Sequence, residues 1–253
     1  MKNILLISLF AVFPIILTSC AEKDTDPNDP ASAFAAAREP YDDENYEMAL
    51  QKLGEFKSRF PYSKLTALSE LYIANCQFEL GRYEESAVSY EQFVTLHPKH
   101  EKVPFAMYRI GESYWVDAPE EVDREQEFTI KSLEEWEKLV VKYPNSDYAK
   151  KAQKNIEIGK KRLAGSVEFI AKFYCKLEIY HACAYRAVKL ARNYPQYKEI
   201  RKKAMQMASM AFGKLAEQKE KDPKSDKNIY FKTMTVQQLR DYSQRLKKEA
   251  ASL

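Results

Sequence analysis

One thiol near the start of the chain carries the most specific chemistry in the sequence. Cys20 ends the stretch Leu17-Thr18-Ser19-Cys20, which follows Lys2 and an apolar run from Ile4 to Leu17. Small residues directly before a cysteine, at the end of a signal-like run, form the pattern of a bacterial lipoprotein signal. On that pattern residues 1–19 are removed and Cys20 becomes a lipidated N-terminus. A secretory apolar region needs ~7–15 residues and a spanning helix ~20, so this run, broken by Pro14, fits export and is short for an uncleaved anchor. Soluble secretion after ordinary cleavage leaves the cysteine after Leu-Thr-Ser without a purpose. Several acyl chains on one cysteine anchor stably, whereas a single chain does so only marginally. Ala21 follows where inner-membrane retention usually needs aspartate, which directs the chain to the outer membrane, facing the periplasm.

Other reactive residues point to no reaction. The sequence has no phosphate-cradling glycine loop, no Gly-x-Ser-x-Gly and no Cys-x-x-Cys. His97 and His100 are the paired histidines, but zinc needs further ligands at suitable spacing and none is evident, so a turn explains them better. No catalytic residue, metal or cofactor is expected, and the chain is not read as an enzyme. Cys76, Cys175 and Cys183 make an odd set, which argues against a disulfide framework. Cys175 and Cys183 flank a helix–helix turn and could meet across it in an oxidising compartment, yet packing as small core residues is the preferred reading. Trp115, Trp136 and most of the 17 tyrosines read as core. A net charge of +3 is too small to argue for nucleic acid, and the basic run from Lys198 to Lys224 reads as a solvated helix face.

Whatever acts must therefore be a surface, and the chain repeats itself to build one. Four segments end in an aromatic ring or histidine followed by proline: Phe60-Pro61, His97-Pro98, Tyr143-Pro144 and Tyr194-Pro195. Twelve residues before each proline stands a small residue: Ala49, Ser86, Ser132 and Cys183. Four later come Leu53, Tyr90, Trp136 and Ala187, and three beyond them Phe56, Phe93, Leu139 and Leu190. Spacings of i, i+4 and i+7 share one helical face, and proline ends each helix. Tyr46, Tyr83 and Tyr180 precede the small residue by three positions, with Thr129 in the third unit. The preceding segments are helical too: Ala67, Leu71, Ala74 and Phe78 form a stripe that stops at Gly81, and Ser63 and Ser146 are expected N-caps. Pro40 is expected to interrupt the first helix.

These helix pairs follow the tetratricopeptide pattern of ~34 residues, with insertions in the later copies. The expected fold is all-α, a right-handed superhelical solenoid of about five pairs with a groove for an extended peptide or a partner helix. Residues 20–30 form a polar tether that cannot bury a core. Residues 31–220 hold four repeats and the first helix of a fifth, from about Gln196 to Gln218. Residues 221–253 hold a loop and a closing helix from about Val236 to Ala250.

Longer strings narrow the field. His97-Pro98-Lys99-His100 with Val103, Ala106, Met107, Tyr108 and Gly111 resembles the junction of the second and third repeats in the BamD (ComL) lipoproteins. Val122-Asp123-Arg124-Glu125-Gln126 resembles the Asp-Arg-Asp-Gln element of that family's inserted loop. Leu163-Ala164, Phe173-Tyr174, Tyr180, Ala182 and Arg186 through Tyr194-Pro195 follow its fourth repeat, although Val167 and Ala171 stand where glutamate and glycine are usual. The resemblance runs from about Ala31 to Ser209, and the stretch after Lys221 has no clear match. It implies a scaffold of the outer-membrane β-barrel assembly machinery. Its implied partners are the POTRA domains of a BamA-type barrel subunit, other lipoproteins of the complex and unfolded outer-membrane barrel proteins. Arg186 aligns with an arginine that contacts the barrel subunit. The competing reading is another periplasmic repeat lipoprotein that coordinates peptidoglycan or envelope assembly. The Asp123–Gln126 element and the lack of a coiled coil before the repeats favour the first.

Overall fold

The computed structural model describes residues 28–223 and 231–253, so the expected signal, Cys20 and most of the tether lie outside the described residues. Among the described residues there are ten helices and no strand. They are α1 (Pro30–Asp42), α2 (Tyr46–Arg59), α3 (Thr66–Glu79), α4 (Tyr83–Leu96) and α5 (Val103–Asp117). The second half holds α6 (Glu127–Lys142), α7 (Asp147–Lys176), α8 (Tyr180–Asn193), α9 (Lys198–Lys221) and α10 (Val236–Ala251). Each helix packs on the next, and α1 meets α3, α5 meets α7 and α7 meets α9. The result is a tetratricopeptide solenoid of five helix pairs.

The proline-anchored register is the core. Ala49, Ser86, Ser132 and Cys183 are fully buried, as are Leu53, Tyr90, Trp136 and Ala187 and, one turn on, Phe93, Leu139 and Leu190. The small residue does more than admit a neighbour. Ser86 Oγ donates to the carbonyl of Ala74 at 2.9 Å, and Ser132 Oγ to that of Gly111 at 2.7 Å, tying the second helix of each pair to the first. In the fourth pair the same position is Cys183, which is bonded to Cys175 on α7. The preferred reading of these two as separate core residues is thus corrected: one position within the repeat serves as a tie by hydrogen bond twice and by covalent bond once. Thr129, fully buried, takes the tyrosine's place in the third unit because the inserted loop is there, and its hydroxyl donates to Gln126 Oε1 at 2.8 Å.

The turns within the pairs also repeat. Glu44 (φ 59°), Gly81 (φ 74°) and Glu178 (φ 58°) each stand two residues before the tyrosine that opens the second helix. The left-handed region suits glycine and costs other L-residues ~1–2 kcal/mol. Glu44→Gly is therefore expected to raise stability by about 0.5–1 kcal/mol, the relief exceeding glycine's extra entropy in the unfolded chain. Chemical denaturation of the variant checks this, and lower stability would refute it.

Two local expectations are corrected. Pro40 does not interrupt α1, which runs on to Asp42; its ring sits buried in the last turn, and its carbonyl accepts the N–H of Asn45 at 2.8 Å. Ser63 does not cap α3: its Oγ accepts the N–H of Leu65 at 3.2 Å inside the preceding turn. Ser146 does cap α7, accepting the N–H of Ala149 at 3.0 Å.

Three apolar clusters fill the array. One joins α1, α2 and Cys76 of α3. A second runs from Ala67 to Ile156 and a third from Ala164 to Ala250, and α7 contributes to both. With 30 residues against 14 in α3, α7 is long enough for its first half to pack on the third pair and its second half on α8 and α9. The insertions expected in the later repeats therefore take two forms, a loop after α5 and added turns in α7.

Candidate partner-binding groove

The second half of α7 carries the exposed apolar residues Phe169 and Phe173 on one side, continued by Leu177 at its C-cap. Steps of four residues place them in one stripe, opposite the fully buried Ala164 and Ala171. Beside this stripe lies a groove of about 400 Å³ between α7 and α8, lined by Val167, Ile170, Tyr185, Arg186 and Lys189 and closed by Tyr194. Its floor is apolar and its charged rim is cationic.

Arg186 is held there by an aromatic seat. Its guanidinium carbon lies 4.2 Å from the centre of the Tyr174 ring. Cation–π contact orients the head without using its N–H donors. Among the described residues no carboxylate lies within ion-pair distance of Arg186. A half-buried guanidinium with unused donors, set in an apolar groove, suits an incoming carboxylate. The residue pattern names Arg186 but does not show its neighbour; the structure adds the seat, a tyrosine on one helix meeting an arginine on the next.

The other positions singled out in the sequence have structural employment. Asp123, Arg124 and Glu125 are exposed, while Gln126 is buried and organises the inserted loop. Its Nε2 donates to the carbonyl of Glu121 at 2.9 Å and lies within hydrogen-bond range of those of Pro119 and Arg124. Arg162 of α7 clasps the same loop, donating to the Pro119 carbonyl while stacking 3.9 Å from the Trp115 ring. His100 packs edge-on against Phe93 at 5.2 Å. His97 Nε2 lies 2.7 Å from Glu70 Oε2, and Lys57 Nζ reaches the other oxygen at 2.7 Å. Among the described residues no group of three His, Cys, Asp or Glu is placed to hold a metal ion.

Glu70 thus clips the first pair to the second. Burial raises its pKa, but the hydrogen bonds and charges of Lys57 and His97 outweigh burial and leave it below the ordinary 4.5. A carboxylate lowered in the folded state stabilises the fold above its unfolded pKa and loses that contribution as pH falls through the folded value. Glu70→Gln is expected to lower the melting temperature at pH 7, with the gap to wild type closing below about pH 4. Melting curves across that range check it, and a pH-independent gap would refute it.

A polar knot that the repeat pattern did not suggest lies between the second and third pairs. Arg109 stacks 3.6 Å from the Phe78 ring, donates to the Tyr90 hydroxyl at 3.0 Å and pairs with Glu112 and Glu79. Tyr90 in turn bonds Asn75. All three guanidinium nitrogens of Arg109 donate inside the protein, whereas no carboxylate among the described residues pairs with Arg186. No helix among the described residues is long and apolar enough to cross a membrane.

Comparison with known proteins shows the family of the chain. The chain resembles the outer membrane protein assembly factor BamD of Rickettsia prowazekii (strain Madrid E), at 28% identity over 198 residues, 77% of this chain and 78% of that protein. BamD of Neisseria gonorrhoeae is 25% identical over 239 residues, 85% of each chain, and that of Vibrio cholerae 25% over 182 residues, 68% of this chain and 76% of that one. Among solved structures, a Podosopora anserina putative kinesin light chain with nearly identical TPR-like repeats superposes with a TM-score of 0.41 at 11% identity, over 88% of this chain and 98% of that one. A tetratricopeptide repeat protein from Parabacteroides merdae ATCC 43184 gives 0.38 at 14%, over 88% and 92%. The fold assignment stands on the helix pairs themselves. The family model described as YfiO, outer membrane lipoprotein, matches residues 26–227, well over half of the sequence, and the chain belongs to that family.

Proposed function

We propose that the chain is a non-enzymatic scaffold lipoprotein of the outer-membrane β-barrel assembly machinery. Anchored through Cys20 at the periplasmic face of the outer membrane, it would bind the POTRA domains of the barrel subunit. It would also receive unfolded barrel proteins, alongside other lipoproteins of the complex. The observation that carries this reading is the match along most of the chain to proteins named outer membrane protein assembly factors. The Arg186 groove supports it by offering an acidic partner surface an apolar bed and a guanidinium that no carboxylate among the described residues pairs.

The test is crosslinking of the native protein in membranes, with its neighbours identified by mass spectrometry. The barrel subunit is the expected neighbour; cell-wall synthases in its place would overturn the reading. Arg186→Glu is expected to weaken co-purification with the barrel subunit at least about tenfold, since an uncompensated charge at an interface costs well over the ~1.4 kcal/mol that tenfold represents. Its far-ultraviolet circular dichroism should match wild type. Undiminished co-purification would remove Arg186 from the interface.

A further inference from the structure

We infer that Cys175 and Cys183 form a thiol–disulfide exchange site, closed by a disulfide-carrying oxidant after export, and that the closed bond holds the Arg186 groove in its docking shape. This inference rests on the export and docking reading above. Cys175 is the neighbour of Tyr174, the aromatic seat, and Cys183 lies one helical turn before Arg186. The disulfide and the cation–π contact therefore run side by side as two rungs between α7 and α8, with Cα atoms of the cysteines 5.0 Å apart.

The turn that these rungs brace is weak by itself. The second pair turns on Gly81, and the first turns on Glu44 but caps α2 with Asn45, whose side chain accepts the N–H of Met48 at 3.3 Å. The fourth turns on Glu178 at φ 58°, and α8 starts without any side-chain cap. It has neither glycine nor cap, and the covalent tie stands where both are missing. Other cysteine chemistry does not compete. Cys76 is fully buried in another core, and that burial pushes its thiol up to about 12.

Exposure sets the order of events. Cys175 is partly exposed and Cys183 fully buried. In the reduced chain the Cys175 thiolate attacks one sulfur of the oxidant's disulfide and expels the other as a thiolate, giving a mixed disulfide. The Cys183 thiolate then attacks the Cys175 sulfur and expels the oxidant's second thiolate. The chain gives up two protons and two electrons, and the oxidant leaves as a dithiol. Reduction reverses both steps and enters at Cys175.

The test uses the full mature chain in oxidised form and after reduction with dithiothreitol. Amide hydrogen exchange over residues 174–189 is expected to quicken at least tenfold on reduction, while residues 66–96 stay unchanged. A Cys183→Ala variant should trap the oxidant as a mixed disulfide in the cell envelope, and Cys175→Ala should trap none. The oxidised chain is expected to bind the barrel subunit's periplasmic domains at least tenfold more tightly than the reduced chain. Equal exchange in the two forms, or both cysteines recovered as free thiols from native envelopes, would overturn the inference. If exchange differs tenfold but neither form binds those domains, the latch stands and the docking reading falls.

Discussion

Trp136→Ala is expected to lower stability by about 3–5 kcal/mol, the usual cost of emptying a fully buried large aromatic site. The indole is wholly enclosed, stacks on Tyr108 with ring centres 6.0 Å apart and packs on Trp115 at 5.6 Å. Its Nε1–H also donates to the Tyr108 carbonyl at 3.0 Å, so alanine removes a hydrogen bond between α6 and α5 as well as the ring. The damage should be regional. In a repeat array each unit leans on its neighbours, and here the second and third clusters share only α7. The variant should melt in two steps, with α3–α6 losing amide protection first and α8–α10 holding to a higher temperature. Calorimetry with hydrogen exchange decides this, and one sharp transition moved as a whole would refute the regional picture.

Gly111→Ala, one methyl group added against that same ring, should cost about 1–3 kcal/mol by overpacking. A Cβ at Gly111 would stand 2.5 Å from Cδ1 and Nε1 of Trp136 and 2.9 Å from Cε2. The indole cannot swing away, because Ser132 one turn earlier already ties α6 to the Gly111 carbonyl. The cost should therefore fall when the ring shrinks. In the Trp136→Phe background, Gly111→Ala should cost at least 1 kcal/mol less than in wild type, a coupling typical of residues in contact. Strict additivity in a double-mutant cycle would show that the methyl group acts elsewhere. Gly111 was read from the sequence only as part of a family-like string; its reason is the close approach of α5 to a tryptophan.

The proline-anchored register was legible because hydrophobic periodicity and helix ends are local properties. Ala49, Ser86, Ser132 and Cys183, with the rings and aliphatic residues that follow them, lie where spacing put them. What spacing cannot show is the partner of a side chain. Ser86 and Ser132 were legible as small, not as donors to a facing carbonyl. Cys183 sat in the same register and so read as one more small residue. Its bond to Cys175 depends on the path of the turn through Glu178, which no periodicity encodes. Pro40 misled for a related reason. A proline removes only its own N–H and crowds the carbonyl four residues before it; the N–H groups after it are untouched, so α1 could run on two residues to Asp42. For the groove, Arg186 was visible as an aligned residue, but its seat on Tyr174 and the bare stripe of Phe169, Phe173 and Leu177 arise from how far α7 overshoots the third pair.

That overshoot has a consequence for anything threading the array. The 16 residues by which α7 exceeds α3 amount to roughly 24 Å of helix, and its two halves pack into different apolar clusters. Under the proposed function, a partner held on one cluster and a chain held on the other would be coupled through this one rigid element.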